Sequence, residues 1–482
     1  YLRIEDTDEK RKVDGAVETI INVLRYFDIE FDEGAGFDDT DPRNAYGPYF
    51  QRQRVEIYHT YAKSLVERGL AYPCFCTEEE LDKVRAKQEE DKVLTGYYGE
   101  YATCRNLSYE EIEANIKAGK PYVLRLRSQG SPDKEITFVD AIKGEIKLPE
   151  NIHDIVLLKK DGIPTYHFAH AIDDHLMRTT TVVRGGEWLA SAPIHYELFH
   201  LLGFKMPAYA HTAHLMKFDE ETGGKRKLSK RKDPELSLDY YRKDGYHPYT
   251  MKVYLLTLLN SNFEEWHEKF PDKDINEFPF SVEKMNQSGA LFDKDKLHNI
   301  CKNELSKLSE EELYDFLYDW AKENEPENVE KWFGNKEKML QILRLYMGVG
   351  AKRRRKDLMY AKQIFELISY FFDGESAEEM DEFKLDEDMV SKILKSYLAK
   401  YDHNDDNSVW FNKLKEIADE HGFASDMKAY KANPENFKGN VSDIAEAVRI
   451  AVTGRANTPD LWTIVHIMGE EQMTERIKKH IK

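Results

Sequence analysis

The chain has 482 residues, a formal net charge of −19 and four cysteines, so it is too long for one hydrophobic core and predicts roughly three to five structural units. Few cysteines, no signal-peptide pattern and no apolar run near the ~20 residues of a membrane span predict a cytoplasmic protein without a membrane segment. The acidic total does not exclude a nucleic-acid partner, because phosphate binding depends on local clusters of lysine and arginine.

The amino-terminal segment predicts alternating strands and helices. Residues 2–4 are typical of the end of a strand, and Asp8 is placed to cap a helix. The apolar face of that helix is formed by Val17, Ile20, Ile21, Leu24 and Phe27. A second helix over residues 54–67, ended by Gly69, precedes a buried strand over residues 70–75. This order indicates the first half of a Rossmann-like fold.

From about residue 77 to residue 155 the composition predicts an inserted domain. A charged, helical arm comes first, and alternating strands follow over residues 122–127 and 136–139. The change from a compact strand and helix order to this arm is what marks the insertion.

Cysteines at the start of the insertion suggest a metal site. Cys74, Cys76 and Cys104 give a C-x-C pair and a distant third thiol, whereas zinc prefers four ligands. The local candidates for a fourth ligand are Tyr97, Tyr98 and Tyr101. Two hypotheses stay open: a zinc site, and free cysteines without a metal.

The second half of the α/β fold is predicted to begin at residues 155–158, an apolar run typical of a buried parallel strand. A turn over residues 161–164 follows, and Tyr166 begins a new element. Side chains that can bind metals stand at its entrance: His167, His170, Asp173 and Asp174. Such clusters more often serve in capping and solvation than in metal binding, and we favour that interpretation.

The run Lys227-Leu228-Ser229-Lys230-Arg231 is the strongest chemical signal in the sequence. It places two ammonium groups three residues apart around a hydroxyl, in a predicted loop after Gly223 and Gly224. Such a loop suits a polyphosphate, because transfer at phosphorus needs cations aimed at the leaving pyrophosphate. A solvated basic patch is the simpler interpretation of so short a match. The acidic residues 219–222 before the glycines are interpreted as an inert insertion.

From about residue 316 to the end the sequence predicts helix after helix. Turns are expected at residues 348–350, 373–374 and 439–440, and no segment shows convincing strand alternation. The densest basic run of the chain, residues 352–356, lies within this part and is a candidate phosphate contact. A solvated face is the alternative.

Several motifs together resemble those of the bacterial glutamyl-tRNA synthetases, which are class I aminoacyl-tRNA synthetases with a KMSKS-type loop. Their order and spacing carry the resemblance, which covers the whole chain. The motifs are Arg3-Ile4-Glu5-Asp6-Thr7-Asp8, Gly47-Pro48-Tyr49-Phe50-Gln51-Arg52-Gln53-Arg54, Ala71-Tyr72-Pro73-Cys74-Phe75-Cys76-Thr77, Tyr166-His167-Phe168-Ala169, Asp173-Asp174-His175, Arg184-Gly185-Gly186-Glu187-Trp188, Lys227-Leu228-Ser229-Lys230-Arg231 and Thr453-Gly454-Arg455.

The resemblance implies an α/β Rossmann-like catalytic domain with an inserted α+β domain, followed by a helical stem-contact region and an all-α anticodon-binding region. The expected boundaries are 1–76 and 156–204 for the two catalytic halves, 77–155 for the acceptor-end-binding insertion, 205–315 for the stem-contact region with the KLSKR loop, and 316–482 for the anticodon-binding region. The family's HIGH-type ATP loop is expected upstream of residue 1, so the chain as given is expected to lack it.

The resemblance also implies ATP-dependent ligation of L-glutamate to tRNA(Glu), with Mg²⁺, through a glutamyl-adenylate. The residues that match the family's functional positions fall into four groups. Catalysis is assigned to Lys227 and Lys230, ATP binding to Lys227, Ser229, Lys230, Glu187 and Trp188, glutamate binding to Glu5, Tyr166, His170 and Arg184, and tRNA binding to Arg353, Arg354 and Arg355. Cys74, Cys76 and Cys104 are the candidate zinc ligands, and a monomer is expected.

The chemistry of these residues suits glutamate, which needs a cationic fork for a carboxylate and an anion for the ammonium group. Simpler interpretations stand beside each assignment: a helix-start carboxylate for Glu5, a structural ion pair for Arg184 and a core tyrosine for Tyr166. The chain departs from the family at His170, where many relatives have asparagine, and at Gly186, which replaces a common acidic residue.

Three alternative functions stay open at this point. A glutamyl-queuosine tRNA synthetase would lack the helical region from residue 316 onward, and a glutaminyl-tRNA synthetase is disfavoured by Glu5 and by the same region. A non-catalytic tRNA-binding relative is disfavoured by the intact KLSKR run. Whether glutamate is also attached to tRNA(Gln) does not follow from the sequence.

Overall fold

The computed structural model describes residues 1–8, 14–36, 44–219, 221–229, 231–372 and 380–482. It divides into two compact units, one formed by Tyr1–Leu236 with Val253–Asp293 and the other by Ser237–Lys252 with Lys294–Lys482. The strands of the described residues all belong to the first unit, and the second unit is helical. The predicted order of an α/β catalytic part followed by a helical part is therefore confirmed.

The strands are short and lie in three sheets. They are β1 (Ala71–Cys74), β2 (Val123–Leu126), β3 (Glu135–Asp140), β4 (Gly144–Pro149), β5 (Val156–Leu158), β6 (Thr181–Gly185), β7 (Ala208–Thr212), β8 (Leu215–Phe218), β9 (Lys225–Lys227) and β10 (Ala290–Leu291). The strand orders are β1-β2-β5, β4-β3-β7-β6 and β10-β8-β9.

The helices before residue 270 are α1 (Ala16–Tyr26), α2 (Val55–Glu67), α3 (Glu78–Glu90), α4 (Tyr109–Lys117), α5 (Tyr166–Leu176), α6 (Ala192–Leu202), α7 (Leu238–Asp244), α8 (Pro248–Leu259) and α9 (Phe263–Lys269). Those after it are α10 (Lys294–Leu305), α11 (Glu310–Asn324), α12 (Val329–Phe333), α13 (Lys336–Met347), α14 (Ala361–Ile368), α15 (Glu387–Lys400), α16 (Asn407–His421), α17 (Met427–Ala432), α18 (Val441–Thr453), α19 (Leu461–Met468) and α20 (Glu470–Lys478). None of the described helices has the length and apolar character needed to cross a membrane.

The four-stranded sheet contains the Rossmann-like element. Strands β3, β7 and β6 are parallel neighbours, β4 pairs antiparallel with β3, and α6 connects β6 to β7. Phe138, Ala192 and Tyr209 are buried between this sheet and α6. A strand, crossover helix and parallel strand place the carboxyl ends of β6 and β7 at the same edge of the sheet.

The sheet of β1, β2 and β5 is antiparallel, which corrects one prediction. Strand β5 pairs antiparallel with β2, so the parallel strand expected at residues 155–158 is wrong in direction. The reason is that its neighbour is a strand of the predicted insertion rather than a strand across a helix. Strand β2 thus pairs with β1, which comes before the predicted insertion, and β3 pairs with β7, which comes after it. The five expected segment boundaries stay predictions.

The amino-terminal helix begins later than predicted. Its first residue is Ala16, and its N-cap is Gly15, whose φ of 75° lies in the left-handed region. Asp8 is therefore not the cap, because a capping side chain must stand directly before the first turn. The second predicted helix and the strand after Gly69 are confirmed as α2 and β1, since both carry clear local signals.

The second unit is held together by one large apolar cluster and by capped helices. The cluster includes Leu317, Leu343, Ile393, Leu414 and Val448, all fully buried. Ser309 and Asn440 form capping boxes at the starts of α11 and α18. The turns expected near residues 348 and 440 are confirmed, and the one expected at residues 373–374 lies outside the described residues.

Candidate active site

Three polar side chains lie at the carboxyl ends of neighbouring strands. Asp140 is the last residue of β3, and Arg184 and His211 stand opposite each other near the ends of β6 and β7. In open α/β sheets ligands bind outside this edge, where the strands end and the loops begin. Arg184 therefore lies where ligands bind in sheets of this kind.

An aromatic wall faces the same edge. Tyr166, the first residue of α5, lies with its ring centroid 4.5 Å from that of Trp188 in the 3₁₀ turn after β6. Its ring also stacks on that of His170, one turn along α5, with a centroid distance of 5.5 Å and an interplanar angle of 27°. The predicted residues Tyr166, His170, Arg184 and Trp188 are thus brought together.

The amino-terminal segment supplies charges to this cluster. The Arg3 guanidinium lies 2.9 Å from the carboxylate of Asp174 on α5. Glu5 follows two residues later, is exposed, and lies within electrostatic reach of both Arg3 and Arg184. Glu5 and Arg184 therefore present opposite charges to one region, which matches the two charged ends of an amino acid.

Arg184 is held by two histidines. Its Nε donates to Nε2 of His211 at 3.0 Å, and its Nη1 donates to Nδ1 of His195 at 3.1 Å. Its Nη2 lies 3.4 Å from the carbonyl oxygen of Trp188, and its Cζ lies 4.6 Å above the ring of Tyr209. No carboxylate of the described residues is paired with it, so no ion pair among them compensates its positive charge.

His170 lies deeper than the sequence assignment implies. Only 2% of it is exposed, its Nε2 is 2.9 Å from the hydroxyl of Tyr209, and its Nδ1 is 3.1 Å from Asp174. Tyr166 covers it, so a direct contact with glutamate would require the tyrosine ring to move. Its assignment to glutamate binding stays a prediction.

The KLSKR run begins in a strand rather than in a loop. Lys227 is the last residue of β9, where it pairs with Met216 of β8, and Leu228 is buried. The glycines before it form the turn of the β8–β9 hairpin, in which Asp219 accepts backbone N–H groups from Glu221 and Thr222. Lys230 lies outside the described residues, so its place is not described.

Asp233, which sequence analysis missed, anchors this segment. Its carboxylate accepts the backbone N–H of Ser229 at 2.7 Å and a bidentate pair from Arg226 at 2.7 Å each. Lys217 lies 3.2 Å away as well. The hydrogen bonds and charge of Arg226 hold the pKa of Asp233 well below its ordinary value, so the clamp stays ionised at neutral pH.

A polar chain connects the lysine run to the 3₁₀ turn after β6. Nζ of Lys227 lies 3.5 Å from Nε2 of His214, and Nδ1 of His214 lies 3.4 Å from the carboxylate of Glu187. Two residues assigned to ATP, Lys227 and Glu187, are therefore connected through His214. Both remain accessible to solvent.

The three predicted thiols meet at one point. Cys74, Cys76 and Cys104 place their sulfur atoms within 4.8 Å of one another. Of the three tyrosines considered as a fourth ligand, only Tyr97 reaches them, with its hydroxyl 3.3 Å from both Cys74 and Cys76. The other two bond elsewhere: Tyr98 to the carbonyl oxygen of Leu94 and Tyr101 to Asp91.

The predicted basic run follows α13 in the second unit. Arg353, Arg354 and Arg355 are all exposed, and Arg355 is paired with Asp357 at 2.6 Å. An exposed guanidinium cluster on a non-helical segment is available to a phosphate backbone.

Burial favours the neutral form of the histidines of the site. Burial lowers the pKa of His167 to about 4, and the charge of Arg184 acts in the same direction. Burial likewise lowers the pKa of His170, His195 and His211, with Arg184 contributing in each case. Neutral rings can accept hydrogen bonds, and this is what the contacts of Arg184 require.

We expect His167 to make stability depend on pH. In the unfolded chain it titrates near 6.5, whereas the folded pKa is about 4, so between pH 8 and pH 6 only the unfolded state gains the proton. The free energy of unfolding contributed by this residue should therefore fall by about 1 kcal/mol over that interval. Chemical unfolding at both pH values should show a smaller fall in His167→Gln, while exposed His200→Gln should match the parent. An equal fall in all three proteins would contradict the expectation.

Sequence analysis missed Arg3, Asp140, His195, Tyr209 and His211 as parts of the site. Asp140 and His211 each end or nearly end a strand, and that position is a signal which a search of strand ends could have used. His195 and Tyr209 carry no such signal, because they are helix and strand residues whose side chains point inward.

Comparisons with known proteins agree with this fold. Residues 1–299 match the family model described as "tRNA synthetases class I (E and Q), catalytic domain", and residues 312–481 match "Anticodon binding domain".

Relatives that align with nearly the whole chain define its family more closely than the domain models do. The chain is 54% identical over 480 residues to a glutamate–tRNA ligase of Acetivibrio thermocellus, covering 99% of this chain and 87% of that protein. It is 46% identical over 486 residues to one of Clostridium perfringens, covering 100% and 87%. A crystal structure of the enzyme from Elizabethkingia meningosepticum in complex with its amino acid superposes with a TM-score of 0.74 at 26% identity, covering 99% and 91%. The chain belongs to the glutamate–tRNA ligase family of class I synthetases.

Proposed function

We propose that this enzyme attaches L-glutamate to tRNA(Glu) at the expense of ATP, with release of AMP and pyrophosphate. The observation that carries the proposal is the pair of opposite charges, Glu5 and Arg184, at the carboxyl edge of the parallel sheet. The lysine run at the end of β9 supplies the second requirement, cations for a polyphosphate.

Glutamate is proposed to lie between Glu5 and Arg184. Arg184 can donate to a carboxylate of the substrate from a guanidinium whose orientation is already set, and Glu5 can pair with the ammonium group. The hydroxyl of Tyr166 is beside Arg184 and offers a further hydrogen bond. This arrangement excludes substrates that lack either charge, because the unmatched side chain would be left without its partner.

MgATP is proposed to bind beside the lysine run. The glutamate carboxylate attacks the α-phosphorus in line, and the charge that develops on pyrophosphate is stabilised by Lys227 and Lys230. Ser229 has its backbone fixed by Asp233, and Glu187 and Trp188 line the neighbouring turn. A ribose hydroxyl of the terminal adenosine then attacks the mixed anhydride, so no side-chain nucleophile is needed.

The helical unit is proposed to bind the anticodon side of the tRNA. Its match to the anticodon-binding model and the exposed run Arg353, Arg354 and Arg355 support this assignment. Arginine suits this role because its planar guanidinium can bond phosphates and stack on bases.

A charging assay tests the proposal. Labelled glutamate and, separately, labelled glutamine are supplied with ATP and transcripts of tRNA(Glu) or tRNA(Gln), and omission of ATP is the control. Glutamate on tRNA(Glu) alone identifies a discriminating enzyme, and glutamate on both tRNAs identifies a non-discriminating one. Absence of any ester, with tRNA still bound, would refute catalysis and leave a tRNA-binding protein.

We further propose that Cys74, Cys76 and Cys104 hold a structural zinc ion with Tyr97. Thiolates at about 2.3 Å from a tetrahedral zinc lie about 3.8 Å apart, and Cys76 and Cys104 are 3.5 Å apart here. The Tyr97 hydroxyl completes a set of four donors on one side of the cluster. Zinc would fix the amino-terminal end of the predicted insertion, where the described helices and strands leave little apolar core.

Metal analysis of the purified protein should give about one zinc per chain. Cys104→Ser should lose most of it, whereas Tyr97→Phe should keep it if water takes the fourth place. Cobalt substitution should add a thiolate charge-transfer band that is absent from Cys104→Ser. A protein that binds neither metal after reconstitution would show that the cysteines are free, and Cys301→Ser, in the other unit, is the control.

We also infer a cytoplasmic location and a monomeric state. Four unpaired cysteines suit a reducing compartment, and the monomer is carried over from the family resemblance alone. Sedimentation across a range of concentrations tests the second point.

A further inference from the structure

The hydrogen bonds of Arg184 fix the protonation of the two histidine nitrogens that face it. A guanidinium can only donate, so the two ring nitrogens that face it must both carry lone pairs. They are Nε2 of His211 at 3.0 Å and Nδ1 of His195 at 3.1 Å. Both histidines are fully buried, so water does not compete for these positions.

Each histidine is held in the required tautomer by a third group. Nδ1 of His211 lies 2.6 Å from Oδ2 of Asp140, which must accept its proton, and this leaves Nε2 free to accept from Arg184. The other oxygen of Asp140 accepts the backbone N–H groups of Ile142 and Lys143, which fixes the carboxylate. Nε2 of His195 lies 2.9 Å from Nδ1 of His167, so the proton of His195 points away from Arg184.

The backbone makes the arrangement rigid. Arg184 and His211 are register partners in the parallel pair of β6 and β7, and Asp140 is the last residue of the adjacent β3. Asp140 is 1% exposed, and it also accepts the backbone N–H of His211. A buried carboxylate with four donors stays ionised and stays in place.

We propose that Asp140, His211 and His195 are positioning residues that set the orientation of the Arg184 guanidinium for a substrate carboxylate. This inference rests on the proposed function, in which Arg184 binds glutamate. Two neutral acceptors fix the guanidinium without cancelling its charge, whereas a carboxylate in their place would neutralise it. The remaining N–H groups of Arg184 are then held in a fixed direction and stay available to the substrate carboxylate.

Matched pairs of variants test the role of each acceptor. His195→Asn and His211→Gln keep an oxygen near the position of the accepting nitrogen, and His195→Leu and His211→Leu remove it. The leucine variants should raise the KM for glutamate about ten- to a hundredfold, since a hydrogen bond to a charged group is lost. The amide variants should stay within about fivefold of the parent. In all four, kcat and the KM for ATP should change little, because the binding lost is the same in the ground and transition states.

Asp140→Asn provides an independent variant of the same size. In the place of Oδ1 its NH2 group would oppose two backbone N–H groups, those of Ile142 and Lys143, whereas in the place of Oδ2 it would oppose one, that of His211. We therefore expect the second arrangement, in which the amide donates to Nδ1 and turns the N–H of His211 toward Arg184. We expect a rise in the KM for glutamate comparable to that of His211→Leu. Thermal unfolding of each variant shows whether it folds, and exposed His175→Gln on α5 is the control.

Unchanged KM values for glutamate in the leucine variants, or equal rises in both members of a pair, would overturn the inference. If His211→Leu does not fold, an unchanged KM in Asp140→Asn overturns the part that concerns His211. Arg184→Lys separates this inference from the proposed function. If that variant keeps its KM for glutamate, the proposed site is wrong; if it loses affinity while the leucine variants do not, only the positioning role is wrong.

Discussion

Arg184→Lys is expected to lower kcat/KM for glutamate by about a hundredfold or more. Lysine keeps the charge but presents a compact ammonium instead of a planar fork, so it cannot bond a carboxylate through two parallel N–H groups. It would also leave the buried accepting nitrogens of His211 and His195 poorly paired, which adds the cost of unsatisfied buried polar groups. Initial rates of tRNA charging over a range of glutamate concentrations measure the effect.

The loss should fall on glutamate alone. The KM values for ATP and tRNA should stay within about threefold of the parent, because Arg184 is not assigned to either substrate. Arg85→Lys, an exposed arginine of α3 paired with Asp82, makes the same chemical change away from the site and should have no effect. A similar loss for both variants, or none for Arg184→Lys, would show that Arg184 does not bind glutamate.

Arg54→Leu is expected to lower the free energy of unfolding by about 2–4 kcal/mol, because it removes the nearer of the two cations that face a buried carboxylate. Asp173 is fully buried and accepts from Nε of Arg54 at 2.8 Å, from the hydroxyl of Tyr58 at 2.8 Å and from Gln51 at 3.3 Å. The hydroxyl and the amide would remain, but neither carries a positive charge, and the one remaining cation, Arg3, has its Nε 3.9 Å from the carboxylate.

Chemical unfolding followed by circular dichroism measures this loss. Exposed Arg68→Leu at the end of α2 should cost less than about 0.5 kcal/mol. The double variant Arg54→Leu with Asp173→Asn should recover part of the stability, because the amide carries no charge. If Arg54→Leu costs no more than Arg68→Leu, the ion pair contributes nothing to the folded state.

Local signals were sufficient for several elements of the fold. The helix predicted over residues 54–67, with Gly69 as its end, begins within one residue of the observed start of α2. The turn at residues 161–164 and the beginning of α5 at Tyr166 were predicted as well, since glycine and proline mark the chain reversal. Each of these features is decided within a few residues of sequence.

Pairing between distant segments could not be predicted in the same way. The direction of β5 depends on its neighbour β2, about thirty residues earlier, and nothing within residues 155–158 identifies that neighbour. The pair of Asp140 and His211 joins residues 71 positions apart. Such contacts follow from the register of parallel strands, which the sequence pattern of either strand does not contain.

The candidate site likewise contains residues that motifs predicted and residues that only the structure revealed. Glu5, Tyr166, Arg184 and Trp188 were found through motifs, and the structure brings them to one edge of the sheet. The residues that orient Arg184 belong to no motif, and they were found only from the hydrogen bonds of its guanidinium. Motifs indicate which side chains are candidates for substrate contact, whereas the side chains that hold them in place are decided by packing between distant segments.

The β8–β9 hairpin separates the acidic turn from the lysine that follows it. Phe218 pairs with Lys225 at the turn, and Met216 pairs with Lys227 two residues further along the ladder, or about 7 Å away. Extra residues at the tip therefore project outward without changing the position of Lys227. The tip is for this reason a suitable place to attach a fluorophore or to graft a peptide while leaving the spacing of the lysine segment intact.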